Sequence, residues 1–241
     1  MQRTTIKSQI EDNRKLLNQL LSGHSMKRLN SLNWVRHEFM NEATTLFQIP
    51  DHFSKTEKQL YLDYTSMANL CDAWDYIVKN KNIDQIDNYQ VRNIHSILCK
   101  GTNIPGGVYR VSEAFVEQLG VHAPSFEKLP YILDTIQYNL SDKRLPPLTQ
   151  AFKTHYDLIE LQPFNDFNKR TARMIMNWVL LKNDYRPILF NDPSDKQNYM
   201  AALRSCADGG GYSKEYSNYM YKCLLRTQNS ILKILQRSHI Q

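Results

Sequence analysis

Three cations lie close together in one short segment of the sequence, Lys169, Arg170 and Arg173. Residues 174–181, which follow, are apolar on nearly every face of a helix, and such a helix is buried. The N-terminal end of a helix carries about half a positive charge, so each cation there is disfavoured by about 0.3–1 kcal/mol. Asp166 supplies one compensating negative charge. The other cations could be compensated by nearby carboxylates or could point to water. The alternative is a bound phosphate group, because the free N–H groups of a helix N-terminus bind phosphate readily.

The elements that must position this segment are helices. Helical periodicity runs through residues 4–22, 31–47, 56–79, 84–100, 126–140, 148–161, 168–181, 194–206 and 212–235. We expect Asn168 to be the N-cap of the helix that begins there. Pro105-Gly106-Gly107 precedes a β-prone stretch, so a short hairpin or exposed flap is expected within residues 101–116. The sequence therefore predicts an all-α fold, a helical bundle with a short β-hairpin flap.

Composition narrows the classes of protein that remain. Only 8 of the 241 residues are glycine and 9 are proline, which argues against collagen-like and low-complexity chains. The four cysteines match neither a zinc spacing nor a CxxC motif, so we expect free thiols. The N-terminus lacks an apolar signal region and no segment approaches the roughly 18 apolar residues of a membrane span. We therefore expect a cytoplasmic protein with no membrane partner, while export as a bacterial effector through a dedicated machine stays open.

The net charge permits an anionic partner without choosing one. The formal charge is +6 and the sequence pI is about 9.0. The remaining cations are dispersed, and no basic run is interleaved with aromatic residues. A nucleotide is therefore favoured over a nucleic acid.

The segment 161–173 resembles the motif of the Fic/Doc (Fido) family, His-Pro-Phe-x-Asp/Glu-Gly-Asn-Gly-Arg-x-x-Arg. The six matching positions are Pro163, Phe164, Asp166, Asn168, Arg170 and Arg173. Residues 105–110 resemble the flap of that family, and the resemblance spans roughly residues 56–225. It implies an N-terminal helical extension over 1–55, a Fic/Doc-like core over 56–225, and a C-terminal helix end and tail over 226–241.

The resemblance implies a nucleotide-dependent activity on proteins. Fic proteins mostly transfer AMP from ATP, with Mg²⁺, to a Ser, Thr or Tyr hydroxyl of a target protein. Doc proteins carry Lys in place of the second Gly of the motif and transfer a phosphate. By this resemblance Asp166 is the Mg²⁺ ligand, and Asn168, Lys169, Arg170 and Arg173 bind the nucleotide. Because Lys169 matches the Doc variant, the group that is transferred stays open. The sequence does not indicate the oligomeric state.

Two positions depart from the family motif. Gln162 stands where the catalytic His is expected, and loss of general-base catalysis costs about 10²- to 10⁴-fold in rate. Phe167 stands at the first Gly, where a left-handed backbone would cost a non-Gly residue about 1–2 kcal/mol. Two functions therefore remain open. One is a Fic-family transferase with altered or impaired catalysis, and the other is a catalytically silent pseudoenzyme that acts by binding a nucleotide or a protein.

No other residue is a convincing replacement for the missing base. His155 is a lone histidine on a largely apolar helix, so we expect a hydrogen-bonded core residue. His122 is expected at the surface. Glu160 is near in sequence, but neighbours on a helix do not face each other.

A possible inhibitory helix lies upstream of the core. In the family such a helix carries Ser/Thr-x-x-x-Glu-Gly/Asn, and Glu42 falls where its Glu would, although Glu38 and Ala43 do not match the flanking positions. The hypothesis is that Glu42 pairs with Arg173 and blocks the γ-phosphate site. A solvated helix face is the alternative.

Overall fold

The helix that begins within the motif lies at the centre of the fold. A computed structural model describes residues 5–22, 31–39 and 57–237, except 118 and 143, with only the backbone given for 57–63 and 139. It confirms a helix over Asn168–Lys182, in which all residues from 171 to 181 are buried. Inside it, the Asn177 amide donates to the carbonyl of Ile188 (3.1 Å) and accepts from its N–H (2.8 Å). The helix start is therefore anchored to a rigid core.

Nine helices account for most of the described residues. They are α1 (Ile6–Leu21), α2 (31–39), α3 (Glu57–Lys79), α4 (Asn88–Leu98), α5 (Leu129–Ser141), α6 (Pro147–Leu161), α7 (Asn168–Lys182), α8 (Asp195–Asp208) and α9 (Lys214–Arg237). A 3₁₀ turn over Phe126–Lys128 precedes α5. Helix α7 packs against α3, α4 and α6, and residues 162–167 join α6 to α7. The all-α prediction is confirmed, and none of the helices in the described ranges is long and apolar enough to span a bilayer.

The β-hairpin lies later in the chain than the sequence suggested. Strands β1 (Phe115–Val116) and β2 (Val121–His122) pair antiparallel. The β-prone residues 108–111 form no hairpin of their own, and Tyr109 instead makes an isolated antiparallel bridge with Phe164 of the motif. The prediction was wrong about the location of the hairpin. Residues 108–111 pair with the motif loop, more than 50 residues away, rather than with the adjacent chain.

Two glycines let the flap approach α4 closely. A Cβ added at Gly106 would lie 2.9 Å from the Cα of Ser96. Gly107 has φ +71° and would place a Cβ 2.9 Å from the carbonyl oxygen of Arg92. Both positions exclude larger residues, so the flap, residues 105–116, starts in direct contact with the helix behind it.

The first helix shares the core with the last. Ile10 and Leu17 of α1 are fully buried, and α1 packs along α9. The Gln228 side chain of α9 donates a 3.2 Å hydrogen bond to the carbonyl of Ile10. The division of the chain at residues 55 and 225 stays a prediction, and helix α1 belongs to the same packed body as the motif.

Candidate functional site

A cleft of about 400 Å³ opens at the N-terminal end of α7. Its lining comprises Phe115 and Glu117 of the hairpin and Gln162, Asn165, Asp166, Phe167, Asn168, Lys169 and Arg170 of the motif. Five of the predicted site residues therefore meet in one place. No side chain caps α7, so its first N–H groups have no partner within the helix.

Gln162 ends α6 in the left-handed region, with φ 45° and ψ 61°. Both ends of its amide are engaged. Nε2 donates to the carbonyl of Ile159 and Oε1 accepts from Asn168 Nδ2, each at 2.8 Å. At the position of the family's base, a neutral amide thus ties the end of α6 to the start of α7.

Asn168 does not cap the helix, and that prediction was wrong. The N-cap is Phe167, with φ 57° and ψ 11°, and Asn168 is the first helical residue. Its side chain turns back to the loop, where Oδ1 accepts from the Phe164 N–H (2.9 Å) and Nδ2 donates to the Phe164 carbonyl (2.8 Å). The amide satisfies loop backbone, which leaves the N–H groups of the helix start to other partners.

The Phe167 ring stabilises a strained backbone. Its left-handed conformation costs a non-Gly residue about 1–2 kcal/mol. The Arg170 guanidinium lies 4.4 Å from the centroid of the ring, and the His95 ring meets it edge-on at 6.5 Å. A cation–π contact of this kind contributes about 0.5–1 kcal/mol. Because the ring also lines the cleft, it fills space that glycine would leave open.

The three cations occupy different environments. Lys169 and Arg170 line the cleft, and Arg170 Nη1 donates to Ser66 Oγ at 3.3 Å. Arg173 is not among the residues that line the cleft; it is 2% exposed, with its guanidinium 5.9 Å from the centroid of the Phe190 ring. Burial lowers the pKa of Lys169, and the charges of Arg173 and Arg170 lower it further. The cleft therefore concentrates positive charge, and a phosphate-binding role for each cation stays a prediction.

Asp166 offers one carboxylate at the rim of the cleft. The side chain is exposed, and Oδ1 accepts from the Phe167 N–H at 2.6 Å. Among the described residues no three His, Cys, Asp or Glu side chains converge to hold a metal by themselves. Mg²⁺ is usually held by one or two carboxylates together with phosphate oxygens and water. A single exposed carboxylate beside the cations of the cleft fits that mode of binding.

Arg110 is a site residue that sequence reasoning missed. It is 3% exposed, its Nε donates to the carbonyl of Gln162 and its Nη1 to that of Ser112, both at 2.7 Å. Its Nη2 donates to the carbonyls of Leu161 and Pro124. The guanidinium thus joins the flap to the last carbonyls of α6. A single arginine in a loop carried no signal of this role.

His95 of α4 is the second missed residue. The imidazole is fully buried, its Nδ1 accepts from the Gly107 N–H (2.8 Å) and its Nε2 donates to the carbonyl of Asp166 (3.1 Å). The ring stacks on Phe164 with centroids 3.7 Å apart and planes 6° from parallel. Burial lowers its pKa to about 4, so the ring is neutral. A histidine on the apolar face of a predicted helix was the available signal.

The alternative bases do not line the cleft. His155 is fully buried, with Nδ1 2.5 Å from the hydroxyl of Tyr216 and Nε2 3.1 Å from that of Tyr199. Burial lowers its pKa to about 3. The prediction of a hydrogen-bonded core histidine is confirmed. His122 is exposed on β2, as expected. Glu160 accepts a hydrogen bond from the hydroxyl of Tyr156, one turn earlier on α6. Glu42 lies outside the described residues.

Comparison with known proteins places the motif in a family. Residues 85–180 match the sequence model of the Fic/DOC family. The "Protein adenylyltransferase Fic" of Nematostella vectensis is 25% identical over 175 residues, which cover 71% of this chain and 40% of that protein. For the protein of the same name in Aedes aegypti, identity is 27% over 173 residues, covering 68% of this chain and 33% of the relative. The chain thus spans 33–40% of the length of these two relatives.

Solved structures share the fold. Fic-1 from C. elegans superposes with a TM-score of 0.74 at 16% identity, covering 97% of this chain and 73% of that one. A Fic domain containing signaling protein from Bacteroides thetaiotaomicron superposes with a TM-score of 0.76 at 20% identity, covering 96% and 97%. The described helices and the short hairpin therefore have the fold of these Fic-domain structures. Residues 85–180, which contain the motif, are the part of this chain that matches the Fic/DOC family.

Proposed function

We propose that this chain is a Fic-type protein-modifying transferase whose catalysis is altered at Gln162. It would move AMP or a phosphate from ATP to a Ser, Thr or Tyr hydroxyl of a protein. The observation that supports this most strongly is the uncapped start of α7, which faces a cleft lined by Asp166, Lys169 and Arg170. A volume of about 400 Å³ also falls within the usual range for small-ligand sites, about 300–1,000 Å³.

Each cleft residue has a role suited to its chemistry. The N–H groups at the start of α7 bind phosphate oxygens, with the helix dipole favouring the negative charge. Arg170 offers a planar fork for bidentate contacts and Lys169 a flexible point charge. Asp166 would hold Mg²⁺, which would neutralise phosphate charge. Together these residues bind and orient the nucleotide without acid–base chemistry.

Gln162 orients the target hydroxyl in this proposal rather than taking its proton. Its Oε1 accepts one hydrogen bond from Asn168, and an amide oxygen has a second lone pair for a hydroxyl. Without a basic nitrogen, the rate is expected about 10²- to 10⁴-fold below that of a histidine-bearing variant.

A catalytically silent binding protein is the second candidate. Two observations favour it: the Gln162 amide already holds α6 and α7 together, and the Phe167 ring occupies part of the cleft. Such a protein would retain nucleotide binding and lose transfer.

Label transfer separates the two functions. The chain is incubated with Mg²⁺, a cell lysate and ATP labelled at either the α or the γ phosphate. Label from α on protein shows AMP transfer and label from γ alone shows phosphate transfer, and Gln162→His should raise either rate about 100-fold or more. Arg170→Ala should abolish it, whereas Arg144→Ala, an exposed arginine away from the cleft, should not.

The other outcomes are equally informative. No transfer, with no gain on Gln162→His, contradicts the transferase proposal. ATP-dependent thermal stabilisation without transfer, lost on Arg170→Ala, supports the binding protein. At an ATP concentration of about 100 Kd the expected stabilisation is about 2.7 kcal/mol. No stabilisation by ATP at saturating Mg²⁺ would contradict the transferase and the ATP-binding protein alike, and would leave only a protein-binding role.

A further inference from the structure

The peptide unit that joins Asp166 to Phe167 lies at the mouth of the cleft. In a planar trans peptide the C=O and the N–H point in opposite directions. The carbonyl of Asp166 points into the core, where it accepts from His95 Nε2 at 3.1 Å. The N–H of Phe167 therefore points to the other side, where it donates to the exposed Asp166 carboxylate.

His95 is itself held from the opposite side. Its Nδ1 accepts from the Gly107 N–H at 2.8 Å, so the single proton of the neutral ring is on Nε2, facing the Asp166 carbonyl. The stacking on Phe164 fixes the plane of the ring. The imidazole consequently offers a donor of fixed direction to the Asp166 carbonyl, and the Cys99 sulfur lies 3.3 Å from the same nitrogen.

The local backbone preference opposes this arrangement. Phe167 has φ 57°, which is unfavourable for a residue with a Cβ. Rotating the Asp166–Phe167 peptide by about 180° would bring that φ into the favourable negative region. The same rotation would turn the Phe167 N–H away from the cleft. It would turn the carbonyl oxygen of Asp166 toward the cleft. The hydrogen bond from His95 resists the rotation.

We propose that His95 is a positioning residue for nucleotide binding, which holds the Asp166–Phe167 peptide with its N–H directed at the cleft. There the N–H donates to a phosphate oxygen once the Asp166 carboxylate turns to a cation. This inference rests on the proposed function of the cleft. It also explains how a motif with Phe in place of Gly retains the loop geometry.

Two substitutions at His95 separate its hydrogen bonds from its volume. His95→Leu fills the space and removes both bonds, whereas His95→Gln retains a donor and an acceptor. Binding of ATP with Mg²⁺ to the full chain is measured by calorimetry. We expect the Kd to rise about tenfold in His95→Leu, as for the loss of one charge-assisted hydrogen bond, and less than about threefold in His95→Gln. His155→Leu, which removes an equally buried imidazole outside the cleft, is expected to lower the melting temperature and to leave the Kd unchanged.

A double-mutant cycle excludes a purely structural role. Glycine tolerates both signs of φ, so Phe167→Gly removes most of the drive to rotate the peptide. In the Phe167→Gly background the effect of His95→Leu on the Kd should fall to about threefold or less. If His95→Leu does not fold, His95→Asn, which is too short to reach both partners, replaces it in the cycle.

The outcomes distinguish the inference from the function it rests on. Equal effects of the His95 substitution in both backgrounds, or an unchanged Kd in His95→Leu, would overturn the positioning role while leaving the nucleotide site intact. If the wild-type chain binds no ATP, the proposed function itself is wrong and the positioning role falls with it.

Discussion

Arg110→Met should destabilise the protein far more than the same change at an exposed arginine. The Arg110 side chain is 3% exposed and donates to four backbone carbonyls. Two of these, Leu161 and Gln162, belong to the C-terminal end of α6, where the helix dipole favours a cation. Methionine retains the length of the side chain but none of its donors.

The size of the effect follows from these contacts. A hydrogen bond to a charged group contributes about 1.5–3 kcal/mol. The cost of burying the guanidinium disappears with the bonds, but the substitution leaves several buried carbonyl oxygens without this donor, at about 1–3 kcal/mol each. We therefore expect a net loss of about 3–5 kcal/mol. In a chain of this length about 2–4 °C of melting temperature correspond to each kcal/mol, which gives a decrease of roughly 10 °C.

Urea denaturation followed by far-UV circular dichroism measures the difference. Arg144→Met is the matched control, because that side chain is 78% exposed and its ion pair is with Asp142, two residues away. It should unfold near the wild-type midpoint, since exposed ion pairs add little. The conclusion that buried Arg110 connects the flap to α6 by hydrogen bonds would be refuted by either of two results. One is a loss of unfolding free energy below about 1 kcal/mol in Arg110→Met, and the other is an equal shift of the urea midpoint in both variants.

Three further predictions concern the loop, the core histidine and the thiols. Phe167→Gly relieves about 1–2 kcal/mol of backbone strain but removes the ring contact with Arg170. The free energy of unfolding, measured by urea denaturation, should therefore change by less than about 2 kcal/mol, whereas loss of a fully buried Phe side chain costs about 3–5 kcal/mol. His155 has a folded pKa of about 3 and is protonated in the unfolded chain below about pH 6.5, so stability is lost as the pH falls. His155→Gln should remove up to about 2 kcal/mol of the decrease between pH 7 and 5, and an unchanged pH profile would contradict this. The four thiols are all buried and should react with a disulfide reagent only after denaturation, and fast reaction of the native protein would contradict the burial of Cys71, Cys99, Cys206 and Cys223.

The helices could be predicted because their periodicity is a local signal. Helix α7 begins and ends within one residue of the predicted range, and the continuous apolar run of residues 174–181 correctly predicted that the helix is buried. The start of α4 lies four residues later than predicted, because Asp87 accepts from the N–H groups of Tyr89 and Gln90 and so begins the helix there.

The errors arose where a side chain or an extended stretch pairs outside the element to which its sequence assigned it. Asn168 was expected to cap its own helix, but its amide satisfies the backbone of Phe164. The stretch around Tyr109 was expected to pair within the flap and pairs with the motif instead. His95 lies more than 70 residues from the carbonyl it supports. Such choices depend on which groups the tertiary fold leaves without partners, and a single sequence does not contain that information in readable form.

The two departures from the family motif have different consequences once the loop geometry is known. Left-handed residues stand at both ends of the connection from α6 to α7, Gln162 and Phe167, and strained conformations persist only when the surroundings determine them. Here Arg110, His95 and Asn168 each hold a backbone oxygen of this connection. The shape of this loop therefore depends on contacts made by residues other than the one at position 167, and Phe167 occupies that position without the freedom of a glycine. No comparable set of contacts can restore a basic nitrogen to Gln162. Under the proposed function, we therefore expect this cleft to bind phosphate despite Phe167, and we expect Gln162 to lower the rate of group transfer.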